Sequence, residues 1–194
     1  MQPGIDWPEP GEREPAPGEA LHLLQDFINT NDIEGGVDAL ATPKLLRDWL
    51  AGRKLAPRSA AVSEAQRRRA IQVREGLRAL GRANNGEPLD QKQVAALNRV
   101  AARIPLVVDV RADDWGLQPA TGGVDGFLGR ILATLARAMA DGTWSRVKAC
   151  RNDTCRWLFF DHSRNRSGTW CTMAVCGSRM KSRAYRSRRR AASA

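Results

Sequence analysis

A chain of 194 residues with 42 % hydrophobic content is long enough for one proper core, or for one domain with a small module attached. Its formal charge of +10 points to a polyanionic partner, and no apolar run approaches the length needed to cross a bilayer. The charge is local: the segment 144–194 holds 13 Lys and Arg against two Asp, while the other 143 residues are close to neutral.

The first 18 residues contain five prolines, three glycines and several glutamates, and read as a disordered leader. The sequence carries no basic segment followed by an apolar one at this end, which fits a cytoplasmic protein with reduced thiols.

Helical periodicity starts at Glu19, with Leu21, Leu24, Phe27 and Ile28 on one stripe, and ends in the turn-forming residues Asn29 to Asp32. Thr42 followed by Pro43 predicts the start of a second helix, with Leu45, Leu46, Trp49 and Leu50 on its inner face and Gly52 at its end. Ser63 caps a long third helix in which Ala70, Val73, Leu77 and Leu80 form the stripe. Arg67, Arg68, Arg69, Arg74 and Arg78 are expected mostly off it. After the turn at 84–88, Asp90 caps a fourth helix carrying Val94, Leu97 and Val100. The β-branched run 104–110 and the short segment around Trp115 to Leu117 predict one small hairpin. A fifth helix, from Val124 to about Ala140, is nearly all apolar or small and should cross the middle of the core.

All four cysteines then fall between residues 150 and 176, as two pairs with four residues inside each pair and fifteen between the pairs. Cys150, Cys155, Cys171 and Cys176 have the spacing of a four-thiolate zinc site, because each short turn can offer two sulfurs to one tetrahedron. Two disulfides or unrelated buried thiols are the competing uses. A closed four-sulfur shell leaves no open coordination position, so the expected zinc is single and structural, and His162 is not needed as a ligand. The linker from the fifth helix is short, so the module should pack on the helical domain.

Beyond Cys176 the chain is rich in arginine. On a helix from Ser178 to Arg190, the residues Arg179, Arg183, Arg186 and Arg190 share one face, with Lys181 and Arg188 beside it. Arg164 and Arg166, between the cysteine pairs, can extend the same positive surface toward nucleic acid. No nucleophile-histidine-carboxylate set, phosphate loop or paired-carboxylate motif is evident, so no enzymatic activity is expected.

The run from Cys150 through RWLFFDHSRNRSGTWCTMAVCG to Lys181 resembles the CGNR zinc finger, with Ser178 where the family has asparagine and Thr169 where arginine is usual. The segments LHLLQDFINT, TPKLLRDWL, VREGLRAL, NNGEPLD and ALNRV are similar to the ABATE domain that accompanies this finger. The resemblance implies a bacterial transcriptional regulator with a DNA-binding finger and an effector-sensing N-terminal domain. It would place Asn29, Thr30 and Arg74 at the effector pocket, although for Asn29 and Thr30 helix capping is the competing role. RNA, or a protein partner docked by the finger, is the alternative to DNA.

The fold class expected is mainly α with a small β hairpin (α+β). The expected division is a leader at 1–18, a helical domain at 19–143, and a zinc module with a basic C-terminal helix at 144–194.

Overall fold

The computed structural model describes residues 14–112 and 115–192. The expected leader lies outside them up to residue 13; its last residues are held against the protein, with the Ala16 N–H donating to Oε1 of Gln25 at 2.9 Å.

The described residues form six α-helices and three two-stranded antiparallel pairs. Helix α1 (Glu19–Asn29) leads into a tight ribbon of β1 (Asn31–Asp32) and β2 (Val37–Asp38). Helix α2 (Pro43–Gly52) begins where Thr42 Oγ1 accepts from the Leu45 N–H at 3.2 Å, with Pro43 at the first position, where an N–H would be unpaired anyway. Helix α3 (Glu64–Ala83) opens with a reciprocal cap: the Gln66 N–H donates to Ser63 Oγ and the Ser63 N–H to Gln66 Oε1. Asp90 caps α4 (Gln91–Ala101). Strands β3 (Leu106–Val110) and β4 (Trp115–Pro119) make the expected hairpin, and α5 (Gly123–Ala140) follows.

Helices α1, α3 and α5 meet around a core in which Phe27, Trp49 and Phe127 pack mostly edge to face. The Phe27 and Phe127 rings stand 5.1 Å apart at 82°. The crossing of α5 over the hairpin is close, since a Cβ on Gly129 would lie 2.7 Å from Pro119 Cβ. The apolar character of α5 is explained by this central position, with Phe127, Leu128 and Ile131 almost fully buried.

Two features depart from the sequence reading. The β content is larger, because β1–β2 and the pair β5 (Val147–Ala149) with β6 (Leu158–Phe160) join the hairpin. Arg74 and Arg78, expected off the apolar stripe, are 2 % and 4 % exposed. Arg74 reaches Asp38 at 2.6 and 2.9 Å and Glu75 at 2.8 Å; Arg78 donates to the Ile28 carbonyl at 2.6 Å, ending α1, and to the Arg156 carbonyl at 2.9 Å. Burial of a guanidinium is tolerated because these acceptors replace water. Burial pulls the Arg78 pKa below its ordinary value, and Glu75 acts against it.

The helical domain and the cysteine region share one core. Val147, Ala149 and Leu158 belong to the same apolar cluster as Leu24 and Leu77. Gly81 of α3 lies against β6, where a Cβ would stand 2.6 Å from Leu158 Cδ1. Polar contacts reinforce the joint: the Asn84 side chain donates to the carbonyls of Trp144 and Val147, and the Asn85 side chain to those of Ala149 and Thr169. The module is therefore docked, as its short linker requires.

Candidate metal centre and nucleic-acid interface

Strand β5 delivers Cys150 and β6 returns the chain, so the first cysteine pair sits in the turn of a small ribbon closed by the Cys150 N–H donating to the Trp157 carbonyl at 2.8 Å. Inside that turn the N–H groups of Cys155 and Arg156 both donate to the Asn152 carbonyl. Arg156 takes a left-handed conformation at φ 53°, which turns the chain away after the second sulfur. Its guanidinium is fixed by Glu87 at 2.5 and 2.7 Å.

The second pair is built differently. Thr172 Oγ1 accepts from the Val175 N–H at 3.2 Å and its carbonyl from the Gly177 N–H at 3.0 Å, coiling Met173–Gly177 into a wide turn. That turn runs directly into α6 (Ser178–Ala192), so Cys176 sits at the root of the helix.

The four Sγ atoms lie within 4.8 Å of one another, and all four cysteines are buried. Sγ of Cys171 is 3.7 Å from Sγ of both Cys155 and Cys176. A tetrahedron with zinc-sulfur bonds of about 2.3 Å has edges of about 3.8 Å. The set therefore fits one zinc ion and is too open for a disulfide bond of about 2.05 Å. The Asn152 amide donates to Cys176 Sγ at 3.6 Å, the kind of outer contact that orients a thiolate.

The electrostatics agree with the geometry. Hydrogen bonds from Cys155 and Cys171 hold the Cys150 thiol down to about 4, while the hydrogen bonds to Cys150 push Cys155 and Cys171 up. A divalent ion would let four thiolates coexist at this spacing. No open ligand position remains, and the zinc is structural. His162 lies elsewhere, edge-on to Phe160 at 4.7 Å and beside the Pro15 carbonyl.

The loop between the pairs is held by a buried ion pair, with Lys148 Nζ 2.7 Å from Asp161 Oδ2. Lys148 also donates to the carbonyls of Arg166 and Gly168; Asp161 accepts from the Ser163 N–H and Oγ and from the Gly168 N–H. Burial raises the Asp161 pKa, but Lys148 and the Ser163 and Gly168 donors outweigh it and bring it down to about 2. This sequence reasoning missed, since Lys148 is one cation among many until its burial is seen.

Helix α6 projects from the metal centre, with every residue from Lys181 to Ala191 exposed. Arg179, Arg183 and Arg186 line one groove of about 620 Å³ with Ser178 and Ser182. Arg179 is bound to Glu34 in the β1–β2 turn. Lys181, Arg183, Arg186, Arg188 and Arg190 form no ion pair with any described residue. Arg164 and Arg166 are exposed on the loop, away from the helix in sequence but on the same module.

Asn29, Thr30 and Arg74 do come together, in the core. Thr30 Oγ1 donates to the Phe27 carbonyl at 2.7 Å and stands 3.2 Å from Arg74 Nη1, and Asn29 bonds the backbone of Leu158. Their polar atoms serve the fold there. No helix among the described residues is long and apolar enough to cross a membrane.

Residues 21–142 match the family ABATE, described as "Putative stress-induced transcription regulator", and residues 146–189 match the CGNR zinc finger. No curated protein matches the chain.

Proposed function

The chain belongs to the ABATE family, and on that premise we propose that it is a DNA-binding transcriptional regulator whose C-terminal helix makes the contact. The observation that carries this reading is the row of Arg183, Arg186, Arg188 and Arg190 on α6, which form no ion pair with any described residue, on a helix rooted at a metal ligand. Cations left unpaired on a rigid mount are free to neutralise phosphates, and arginine forks can also read guanine edges.

In this reading Arg183, Arg186, Lys181, Arg188 and Arg190 contact the nucleic acid directly. Arg164 and Arg166 extend the surface, and Arg179 joins it when it leaves Glu34. The zinc holds the second turn closed and so fixes where the helix points. Residues 19–143 form the helical domain and 144–194 the finger. A signal from the former has a short path to the latter through Asn29 and Arg78, which both bond finger backbone.

Fluorescence anisotropy on labelled duplex DNA tests the proposal. Affinity should fall steeply with salt, with a slope of about −0.9 for each phosphate neutralised. A salt-independent interaction would refute it, and tighter binding to single-stranded RNA than to duplex DNA in competition would favour the RNA reading instead.

A further inference from the structure

We propose that two copies of this chain pair edge to edge through strand β3, making one four-stranded antiparallel sheet across a two-fold axis at Val108. The hairpin β3–β4 stands as a two-stranded sheet, with no third strand among the described residues. Its backbone pattern is fixed by one hydrogen bond at its base, the Ala120 N–H donating to the Pro105 carbonyl at 3.1 Å, together with the register Leu106↔Pro119. In an antiparallel ladder, bonded and non-bonded pairs alternate. Val107 and Asp109 therefore bond across to β4, and the N–H and C=O groups of Leu106, Val108 and Val110 point outward, away from it.

That outward set is symmetric about Val108, so the strand is its own complement. Antiparallel pairing would set Val108 against Val108 of the second copy and Leu106 against Val110, with both N–H···O bonds available at each pair. The side chains agree with the backbone. Val108 and Val110 are 62 % and 75 % exposed, and Trp115, opposite Val110 on β4, is 63 % exposed. Charge does not oppose it, because Arg111 neutralises Asp109 at 2.9 Å within the same strand end.

The other edge explains why a pair forms and not a fibre. Free strand edges are usually blunted by charge, proline or a covering element. On β4 the outward groups belong to Trp115, Leu117 and Pro119, and Pro119 has no N–H to give. The edge of β3 has neither proline nor lysine among its outward residues. Joining two β3 edges uses both unprotected edges and leaves outside the β4 edges, each of which lacks an N–H at Pro119.

Sedimentation of the full-length, zinc-loaded protein tests this. The wild type should sediment at twice the chain's mass. Val108→Lys and Val108→Glu should each be monomeric and still melt cooperatively, because the side chain is exposed in the single chain, and mixing the two should restore a dimer containing one of each. Val108→Pro removes an outward N–H without touching the β3–β4 ladder, and should also be monomeric. A wild type that stays monomeric up to its solubility limit would overturn the proposal. So would a Val108→Lys protein that remains dimeric, or a Lys and Glu mixture that fails to pair.

Discussion

Asn29 grips Leu158 from both sides: its Nδ2 donates to the Leu158 carbonyl at 2.9 Å and its Oδ1 accepts from the Leu158 N–H at 2.8 Å, 129 residues away in sequence. One amide thus satisfies both backbone groups of a fully buried residue and ties the end of α1 to the finger.

Replacing Asn29 by Ala leaves a buried N–H and C=O without partners, each at a cost of about 1–3 kcal/mol. Urea unfolding monitored by circular dichroism should show a loss of about 2–4 kcal/mol. The Leu158 amide should also exchange faster with deuterium. A loss well below 1 kcal/mol would mean that water takes over the role of the amide.

Because the finger and helical domain share a core, metal removal should destabilise both. Purified protein should contain one zinc per chain, and a strong chelator, or Cys176→Ser, should lower the melting temperature of the helical signal as well as disorder α6. Structural zinc contributes on the order of 10 kcal/mol to modules of this kind. Survival of an unchanged cooperative melt in the chelated protein would contradict the shared core.

Gly81→Ala should destabilise, although alanine favours a helix by about 1 kcal/mol over glycine. The added methyl would meet Leu158 Cδ1 at 2.6 Å, and Leu158 is 0 % exposed, so its side chain can give way only against the core around it. Overpacking of this sort costs about 1–3 kcal/mol and should outweigh the helical gain. The midpoint of urea unfolding reads the sign directly.

The ion pair of Lys148 and Asp161 predicts a pH dependence with a definite sign. The folded Asp161 pKa is depressed from 3.8 to about 2, so its stabilisation is fully present above the unfolded value and is lost as pH falls through the folded one. At neutral pH, Asp161→Asn strands the Lys148 ammonium in a buried site, a loss of about 3–5 kcal/mol for a pair of this kind. The difference in unfolding midpoint between wild type and variant should be constant above about pH 5 and shrink between about 4 and 2. A difference that grew on acidification would reverse the assignment.

Arg183→Ala and Arg186→Ala should each weaken duplex binding and reduce the magnitude of the salt slope by about 1, with no change in melting temperature. Glu34→Gln should do the opposite to affinity, since it frees Arg179. Equal slopes for wild type and the double arginine variant would place the contact elsewhere.

Local chemistry explains what the sequence made legible. Thr42 with Pro43, Ser63, and Asp90 mark helix starts within a few residues, and the cysteine pairs mark the metal site because each pair is one turn. Features decided at long range were not legible. From sequence alone Arg74 and Arg78 are expected mostly off the apolar stripe, because their partners, Asp38 and the carbonyls of Ile28 and Arg156, lie 36 to 78 positions away. Strand β5 is three residues long, and only its pairing with β6 makes it a strand. Asn31 and Asp32 read as turn residues that end the first helix, and two-residue strands are too short to carry an alternation.

Among the described residues, helix α6 adds no buried hydrophobic side chain to the core, and every residue from Lys181 to Ala191 is exposed. Its side chains from Lys181 onward are therefore exempt from the packing rules that govern the rest of the chain. Selection can exchange them one at a time, altering which ligand is bound and how tightly, while the fold beneath is left untouched.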